Sequence, residues 1–188
     1  MATAPIAIVE AVSTASAISK PVLAGRENSR FLGPIKLSIE RAAAVGGGTV
    51  YGANLNTDAA GDLKFCRLKG SDGATGRTVF TTTLAHVAFA NYNLIVLKNG
   101  AVIQQGAGAG KFTVTSSSGS LEITLGTAAA VGDVIEVHLV VPVALYTWAD
   151  AAIQFKQVEK QGYELLWFAA DATATPSATN IYADPLGE

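Results

Sequence analysis

The feature that most constrains the fold is the regular recurrence of turn-forming clusters along the 188-residue chain. Between residues 46 and 133 such clusters are spaced by about ten residues, and short segments rich in β-branched residues separate them. Over residues 34–41, PIKLSIER, apolar and polar side chains alternate as in a half-buried strand. This rhythm predicts a mainly β protein, with an antiparallel β-sandwich or jelly-roll-like domain over residues 34–170.

The first 33 residues differ from this pattern. They are rich in Ala, Ser, Thr and Val and have no sustained period, so we predict an extended N-terminal arm over residues 1–33. Its apolar pairs are candidate interaction residues, namely Ile6 with Ile8 and Val22 with Leu23. Too few apolar residues are present for a core of its own, so the arm is expected to dock on a neighbouring subunit or another surface. The alternative is a disordered tail.

A different period appears near the C-terminus. In TWADAAIQFKQVEKQG (147–162), apolar residues fall at i, i+3 and i+4 spacings, Thr147 suits an N-cap and Gly162 a stop. The pattern predicts one helix at about residues 147–161, followed by a closing strand and a C-terminal tail over residues 171–188. Four aromatic residues lie around this segment and suit either a core or an interface anchor, namely Tyr146, Trp148, Tyr163 and Trp167.

Composition excludes several classes of function. Hydrophobic residues make up 49 % of the chain and charged residues 15 %, with a net charge of −2, which argues against a nucleic-acid partner. No apolar run is long enough for a membrane span, and the start of the chain lacks the basic residues of a signal peptide. So little charge fits a protein whose surface is largely covered by other proteins.

Residues that could carry chemistry are few. The run IQQGAGAGKF (103–112) resembles a phosphate-binding loop, but its glycine spacing fits neither nucleotide-binding motif, and a strand-like segment follows it. We expect a flexible connection between strands. His86, His138 and Cys66 are too few and too scattered for a metal site, and Cys66 suits a small buried hydrophobe. The sequence thus predicts no catalytic residue, metal or cofactor.

Two turns are clearly marked in the second half of the chain. Asn99-Gly100 lies between apolar segments and is typical of a type I′ hairpin, because both positions need positive φ. Gly132-Asp133 ends a turn that leads into VIEVHLVV, the most apolar strand. We take these four residues as structural turn positions.

The segment around these turns, residues 93–137, resembles a module common in structural proteins of tailed phages. The module runs through a hydrophobic strand, Asn-Gly, a return strand, an aromatic-Thr-Val strand, an Ile-Thr-Leu strand and Gly-Asp-x-Ile-Glu-Val. Thirteen positions match: Leu94, Val96, Asn99, Gly100, Gly106, Phe112, Thr113, Ile123, Leu125, Gly132, Asp133, Ile135 and Val137. The glycine loop is longer than in the module, and Lys111 stands where the module often has Asp.

The resemblance implies a non-enzymatic virion protein, assembled in the host cytoplasm. A compact domain with an apolar arm suits a capsid decoration (cement) protein that binds the major capsid protein or other virion proteins. Such proteins often form homo-oligomers, and a trimer is expected by analogy. The alternative is a tail, neck or head fibre protein. Outside this class, a carbohydrate-binding β-sandwich module would use aromatics such as Tyr92 or Trp148 against a sugar.

Overall fold

The structure is a computed structural model that describes residues 5–9, 19–24, 32–41, 47–55, 65–69, 76–85, 94–117, 120–148, 155–170 and 179–186. These residues are mainly β-strand, which confirms the mainly β part of the predicted fold class, and none of them is in an α-helix. The chain divides into two compact units. We call residues 1–54 with 142–188 the sandwich unit and residues 55–141 the inserted unit.

The sandwich unit contains two four-stranded antiparallel sheets. The first has the order β1-β15-β3-β13, with β1 Ile6–Val9, β15 Thr179–Pro185, β3 Pro34–Arg41 and β13 Phe155–Gln161. The second has the order β12-β4-β14-β2, with β12 Val143–Trp148, β4 Gly48–Ala53, β14 Leu165–Ala170 and β2 Val22–Leu23. Strands β4 and β12 pair directly, so the inserted unit occupies the connection between two neighbouring strands.

Both sheets of the sandwich unit contribute to one hydrophobic core. The alternation seen in PIKLSIER puts Ile35, Leu37 and Ile39 of β3 inside, all at most 1 % exposed. Trp148 and Phe168 from the second sheet stack with ring centroids 5.3 Å apart in the same cluster. Each such side chain contributes about 2 kcal/mol through removal of apolar surface from water. The shared core makes this unit sandwich-like, although the predicted sandwich spanned residues 34–170 and so included the inserted unit.

The inserted unit is one seven-stranded sheet with the order β5-β11-β7-β8-β9-β10-β6. The strands are β5 Phe65–Lys69, β6 Arg77–Ala85, β7 Leu94–Lys98, β8 Ala101–Gln105, β9 Lys111–Ser117, β10 Ser120–Ala129 and β11 Val134–Leu139. Neighbouring strands are antiparallel except β8 and β9, which pair in parallel at Gln104 with Lys111 and Gln105 with Phe112. The sheet curves around its own core, and its two edge strands, β5 and β6, lie next to each other.

The core of the inserted unit is formed by inward residues of successive strands. Phe112 of β9, Ile123 of β10 and Ile135 of β11 are all at most 1 % exposed. Phe80 of β6 belongs to the same cluster, and the Arg77 guanidinium lies over its ring at 5.7 Å from the centroid. The inserted unit therefore encloses its core with one curved sheet. In the sandwich unit, the core is formed by residues from two sheets.

The helix predicted at about residues 147–161 is wrong. Residues 147–148 end β12 and residues 155–161 form β13, while 149–154 lie outside the described residues. Strand β13 pairs along its whole length with β3, from Phe155 opposite Glu40 to Gln161 opposite Pro34. Tertiary pairing with a strongly alternating strand outweighs the modest helix preference of Lys, Gln and Glu.

The tail predicted over residues 171–188 is wrong for residues 179–185, which form β15 between β1 and β3. Its inward residues, Ile181 and Ala183, are fully buried. The structure also divides the chain differently from the predicted arm and single domain, because residues of the arm and of the tail both belong to the sandwich unit. Pairing partners more than a hundred residues away decide these assignments, and no local pattern reports them.

In the part of the chain that the structure describes, no helix is long and apolar enough to cross a membrane.

Candidate interaction site

The turn between β7 and β8 has a tightly defined backbone. Lys98 pairs with Ala101, so Asn99 and Gly100 are the two residues of the hairpin loop. Their φ angles are 51° and 82°, the left-handed values that a type I′ turn requires at both positions. Asn99 is the one described non-glycine residue with positive φ, and Asn tolerates this conformation better than most residues.

The second turn, between β10 and β11, is closed by an aspartate. The Asp133 backbone N–H donates to the Ala130 carbonyl at 3.1 Å, and the Ala130 N–H donates to Asp133 Oδ2 at 2.7 Å. Gly132 has φ 87°, which only glycine adopts at little cost. The carboxylate thus fixes the turn by accepting a hydrogen bond from its first residue.

The two turns are bonded to each other. Asn99 Nδ2 donates to Asp133 Oδ1 at 2.7 Å, and the Val134 N–H donates to Asn99 Oδ1 at 2.9 Å. The Asn99 N–H also donates to the Val134 carbonyl at 2.9 Å, and Lys98 Nζ lies 2.8 Å from Asp133 Oδ2. We call Lys98, Asn99, Gly100, Gly132 and Asp133 the turn clamp.

The turn clamp changes the acidity of its aspartate. The Lys98 ammonium, the Asn99 amide and the Ala130 N–H all bond the ionised carboxylate, and together they lower the pKa of Asp133 from 3.8 to about 2. The Asp133 carboxylate is therefore ionised at neutral pH, the form that accepts these hydrogen bonds. It brings together the Asn-Gly and Gly-Asp parts of the sequence module, which lie more than thirty residues apart.

The glycine loop is a structured turn. Gly106, Gly108 and Gly110 all have positive φ, at 143°, 111° and 70°. The Gly110 N–H donates to Thr127 Oγ1 at 3.2 Å, and a Cβ on Gly126 would collide with the Gly108 carbonyl oxygen. The loop thus lies directly on β10, and its backbone is held where the sequence predicts a flexible connection.

The candidate arm residues lie in strands of the same chain. Ile6 pairs opposite Ala183 of β15, and Ile8 is 4 % exposed within the sandwich core. Val22 and Leu23 pair opposite Leu166 and Leu165 of β14 and are half-buried. All four therefore face their own sandwich unit in this structure, at the edges of both sheets.

Of the residues considered for chemistry, Cys66 and His138 lie on the paired strands β5 and β11, where Cys66 is opposite Val137, the residue before His138. His138 is 1 % exposed, with Nε2 3.7 Å from Glu136 Oε2, and Cys66 is in β5. His86 and Tyr92 lie outside the described residues. Among the described residues no group of three or more His, Cys, Asp or Glu is placed to hold a metal ion. Trp148 and Trp167 are 4 % and 0 % exposed, so both are core residues.

Sequence analysis missed an exposed side of the sandwich unit, which we call the open side and define by β12 and β13. Among the described strands, each of these two pairs on one side only, β13 with β3 and β12 with β4. Phe155 is 56 % exposed and Val143 39 % exposed, and they are two of the six large apolar residues exposed in the described part of the chain. The charged sequence FKQVEKQ could have indicated an edge strand. Lysines are common on edge strands because they oppose pairing with strands of other molecules.

Comparison with protein-family models, with curated proteins and with solved structures finds no match to this chain.

Proposed function

We propose that this chain is a non-enzymatic structural protein of a tailed-phage virion, and within the virion a capsid decoration protein. The observation that carries the proposal is the turn clamp. The residues of the sequence module that resembles phage structural proteins are joined by direct hydrogen bonds, at 2.7 Å between Asn99 and Asp133. Because the Asn-Gly and Gly-Asp parts of the module bond to each other, there is a physical reason for them to occur together in one sequence. This supports the resemblance to phage structural proteins beyond a similarity in composition.

The decoration role is favoured over a fibre role by how the described strands are organised. They form two units that each have their own hydrophobic core, as a protein bound to a capsid surface would. A fibre shaft is built by repeated β motifs or coiled-coil heptads, and the described residues follow neither pattern. Tail, neck and head fibre positions are the alternative within the virion.

The carbohydrate-binding alternative loses support at Trp148, one of its two named aromatic residues, because this ring is buried, while Tyr92 lies outside the described residues. A sugar-binding face presents exposed aromatic rings, but Trp148 stacks on Phe168 inside the core and Trp167 stacks on Tyr51 at 5.7 Å. Neither indole is available to a ligand at the surface. We therefore favour binding to other proteins over binding to a sugar.

Partners in the proposed role are the major capsid protein, other virion proteins and further copies of this chain. The open side offers an apolar contact for such a partner through Phe155 and Val143. A trimer remains the expected oligomer by analogy with decoration proteins.

Electron microscopy of intact particles, with the copies counted, tests the proposal. Hundreds of copies on the capsid surface are expected, because a decoration protein covers the capsomers. A handful of copies at the tail or neck would instead support the fibre alternative, and absence from purified particles would refute a virion role.

A matched pair of variants sharpens the experiment. Phe155→Ser removes the exposed ring of the open side and is expected to lower capsid occupancy at least tenfold if this side binds the shell. Val131→Ser is the control, because Val131 is equally exposed, at 59 %, but lies at a turn of the inserted unit. Equal occupancy for both variants and the unmodified chain would remove the open side from the interface.

A further inference from the structure

Asn99-Gly100 is a chemically reactive pair as well as a turn. It is the one Asn-Gly dipeptide in the chain, and a glycine after asparagine leaves the next backbone nitrogen without a side chain to shield it. Both residues are exposed, and a Cβ on Gly100 would meet nothing within 4 Å, so water reaches the turn. The pair therefore has the groups and the solvent access for deamidation, the spontaneous loss of ammonia from asparagine.

Deamidation begins with attack of the Gly100 backbone nitrogen on Cγ of Asn99. A C–N bond forms, the attacking nitrogen gives up its proton, and the Cγ–Nδ2 bond breaks to release ammonia, which leaves a five-membered succinimide. Water then opens this ring at either carbonyl, so that residue 99 becomes aspartate or isoaspartate. The attack makes Cγ tetrahedral and requires the side chain to approach its own backbone.

The turn clamp holds the Asn99 side chain in a different arrangement. Nδ2 donates to Asp133 Oδ1 at 2.7 Å, and Oδ1 accepts from the Val134 N–H at 2.9 Å, so both ends of the planar amide are bonded to the neighbouring turn. The nitrogen that must leave is thus bonded to a carboxylate, and a hydrogen bond to a charged group is stronger than a neutral one. Attack by the Gly100 nitrogen therefore has to break contacts that the folded turn makes.

We propose that the turn clamp protects Asn99 from deamidation, and that deamidation of this residue opens the clamp irreversibly. An aspartate at position 99 would place a second carboxylate where Nδ2 now lies 2.7 Å from Asp133 Oδ1, and like charges this close repel each other. Isoaspartate would also carry the main chain through the side-chain carbon, which lengthens a two-residue loop between the paired Lys98 and Ala101. The inference does not rest on the proposed virion role.

Peptide mapping by mass spectrometry tests the protection, with the purified chain kept near neutral pH at physiological temperature. The unmodified chain is compared with the same chain unfolded in urea and with Asp133→Ala, which removes the acceptor of the Asn99 amide. Ile123→Val is the matched control, because it deletes a methyl group from the buried core of the inserted unit and leaves the residues of the clamp unchanged.

We expect Asn99 to deamidate about tenfold more slowly in the folded chain than in urea, and Asp133→Ala to recover most of this difference, because a hydrogen bond to a charged group corresponds to a factor of about ten or more. Ile123→Val should react like the unmodified chain. Equal rates in the folded and unfolded chains would overturn the proposal. Equal acceleration by the two variants would do so as well, since deamidation would then follow overall stability.

Two further outcomes keep the test decisive. A slower reaction in Asp133→Ala than in the unmodified chain would contradict the proposal, because the clamp would then promote the attack. If Asp133→Ala does not fold, the comparison uses Asp133→Asn, which keeps an acceptor oxygen but loses its charge. Absence of any acceleration in Asp133→Asn beyond that in Ile123→Val would then overturn the protection.

Asn99→Asp tests the second part of the proposal, because it reproduces one product of the reaction. Its melting temperature is expected to fall by several degrees through repulsion between the two carboxylates. Asn54→Asp is the control, since a carboxylate there still accepts the hydrogen bond that the Glu164 N–H donates to Asn54 Oδ1 at 3.3 Å. Equal melting temperatures for these two variants would show that the deamidated product leaves the clamp closed.

Discussion

The sandwich unit and the inserted unit are both built from β-strands, but they draw their strands from different distances along the chain. In the inserted unit, β7, β8, β9 and β10 are neighbours in sequence and in the sheet. In the sandwich unit, β3 lies between β13 and β15, and Ile6 of β1 pairs opposite Ala183. Four consecutive strands of the inserted unit pair with their neighbours in sequence, although pairs such as Phe65 opposite His138 complete its sheet, whereas the sandwich unit joins segments as distant as Ile6 and Ala183.

This difference decides where each unit is vulnerable. Local pairings cost little loop-closure entropy and depend on the geometry of short turns, so the inserted unit relies on its turns. Long-range pairings depend on every distant segment being present, so the sandwich unit relies on its outer segments. The turn clamp and strand β15 are the clearest representatives of the two cases.

The largest effect is expected from ending the chain after residue 178. This removes β15, with its fully buried Ile181 and Ala183, and leaves β1 and β3 without their shared partner. We expect a loss of about 5 kcal/mol or more from buried side chains and two strand ladders together, enough to unfold the sandwich unit. Amide hydrogen exchange checks this, with protection lost in β3 and retained in β10.

The matched control for the truncation ends at Leu186 and keeps β15 complete. It is expected to exchange like the full chain. If β3 stays protected in the chain that ends at residue 178, the sandwich unit does not depend on its last strand. The proposed difference in vulnerability between the two units would then be wrong.

A smaller effect, confined to the inserted unit, is expected from replacing Asn99-Gly100 by Val-Val. β-Branched residues resist the φ values of 51° and 82°, and the change also removes the amide that bonds Asp133. We expect about 2–5 kcal/mol of destabilisation in chemical denaturation. Ala101→Val, at the next and exposed position, is the control and should change stability by less than about 0.5 kcal/mol.

The turn clamp should also make the inserted unit sensitive to acid. The pKa of Asp133 is about 2 in the folded chain, below its ordinary value of 3.8. The ionised carboxylate therefore stabilises the fold above pH 3.8, and this contribution is lost as the pH falls from about 4 to 2.

Asp133→Asn tests this pH dependence through melting temperatures. The variant should melt below the unmodified protein at pH 7, and the difference should disappear as the pH approaches 2. Glu159→Gln, an exposed carboxylate on β13, is the control outside the clamp. A difference that stays constant from pH 7 to pH 2 would show that the Asp133 charge does not hold the turns together.

The smallest effect is expected from Lys111→Ala. The half-buried lysine follows the glycine loop, which is held by backbone contacts to β10 and not by this side chain. We expect a change of less than about 0.5 kcal/mol in stability. ATP or GTP binding by the unmodified chain that disappears in the variant would show that the loop is a nucleotide site after all.

The sequence predicted the locally determined part of this molecule and missed the rest for a physical reason. Turn dipeptides such as Asn99-Gly100 act through φ preferences that are present in the sequence itself. Strand β13 has a helix-like local pattern, and only its pairing with β3 makes it a strand. Strand β15 has little local pattern and depends on β1 and β3.

The candidate site divides in the same way. The four turn residues were identifiable one turn at a time, but the bond between Asn99 and Asp133 spans 34 residues and needed the fold. The open side was hidden because the helix-like period placed Phe155 on a predicted core face, whereas the structure exposes it at 56 %. The burial of a side chain on an edge strand depends on which segments lie beside that strand. Those segments come from distant parts of the chain, so a short stretch of sequence does not reveal them.

Because β4 and β12 are paired, the sandwich unit can accept an inserted domain in the connection between them. Val143 lies opposite Gly52, so the chain leaves and re-enters this sheet on two adjacent strands, about 5 Å apart. Any folded segment whose ends are that close could replace residues 55–141 without changing the order of the strands around it. The inserted unit could therefore be replaced, in evolution or by design, while the sandwich unit is kept.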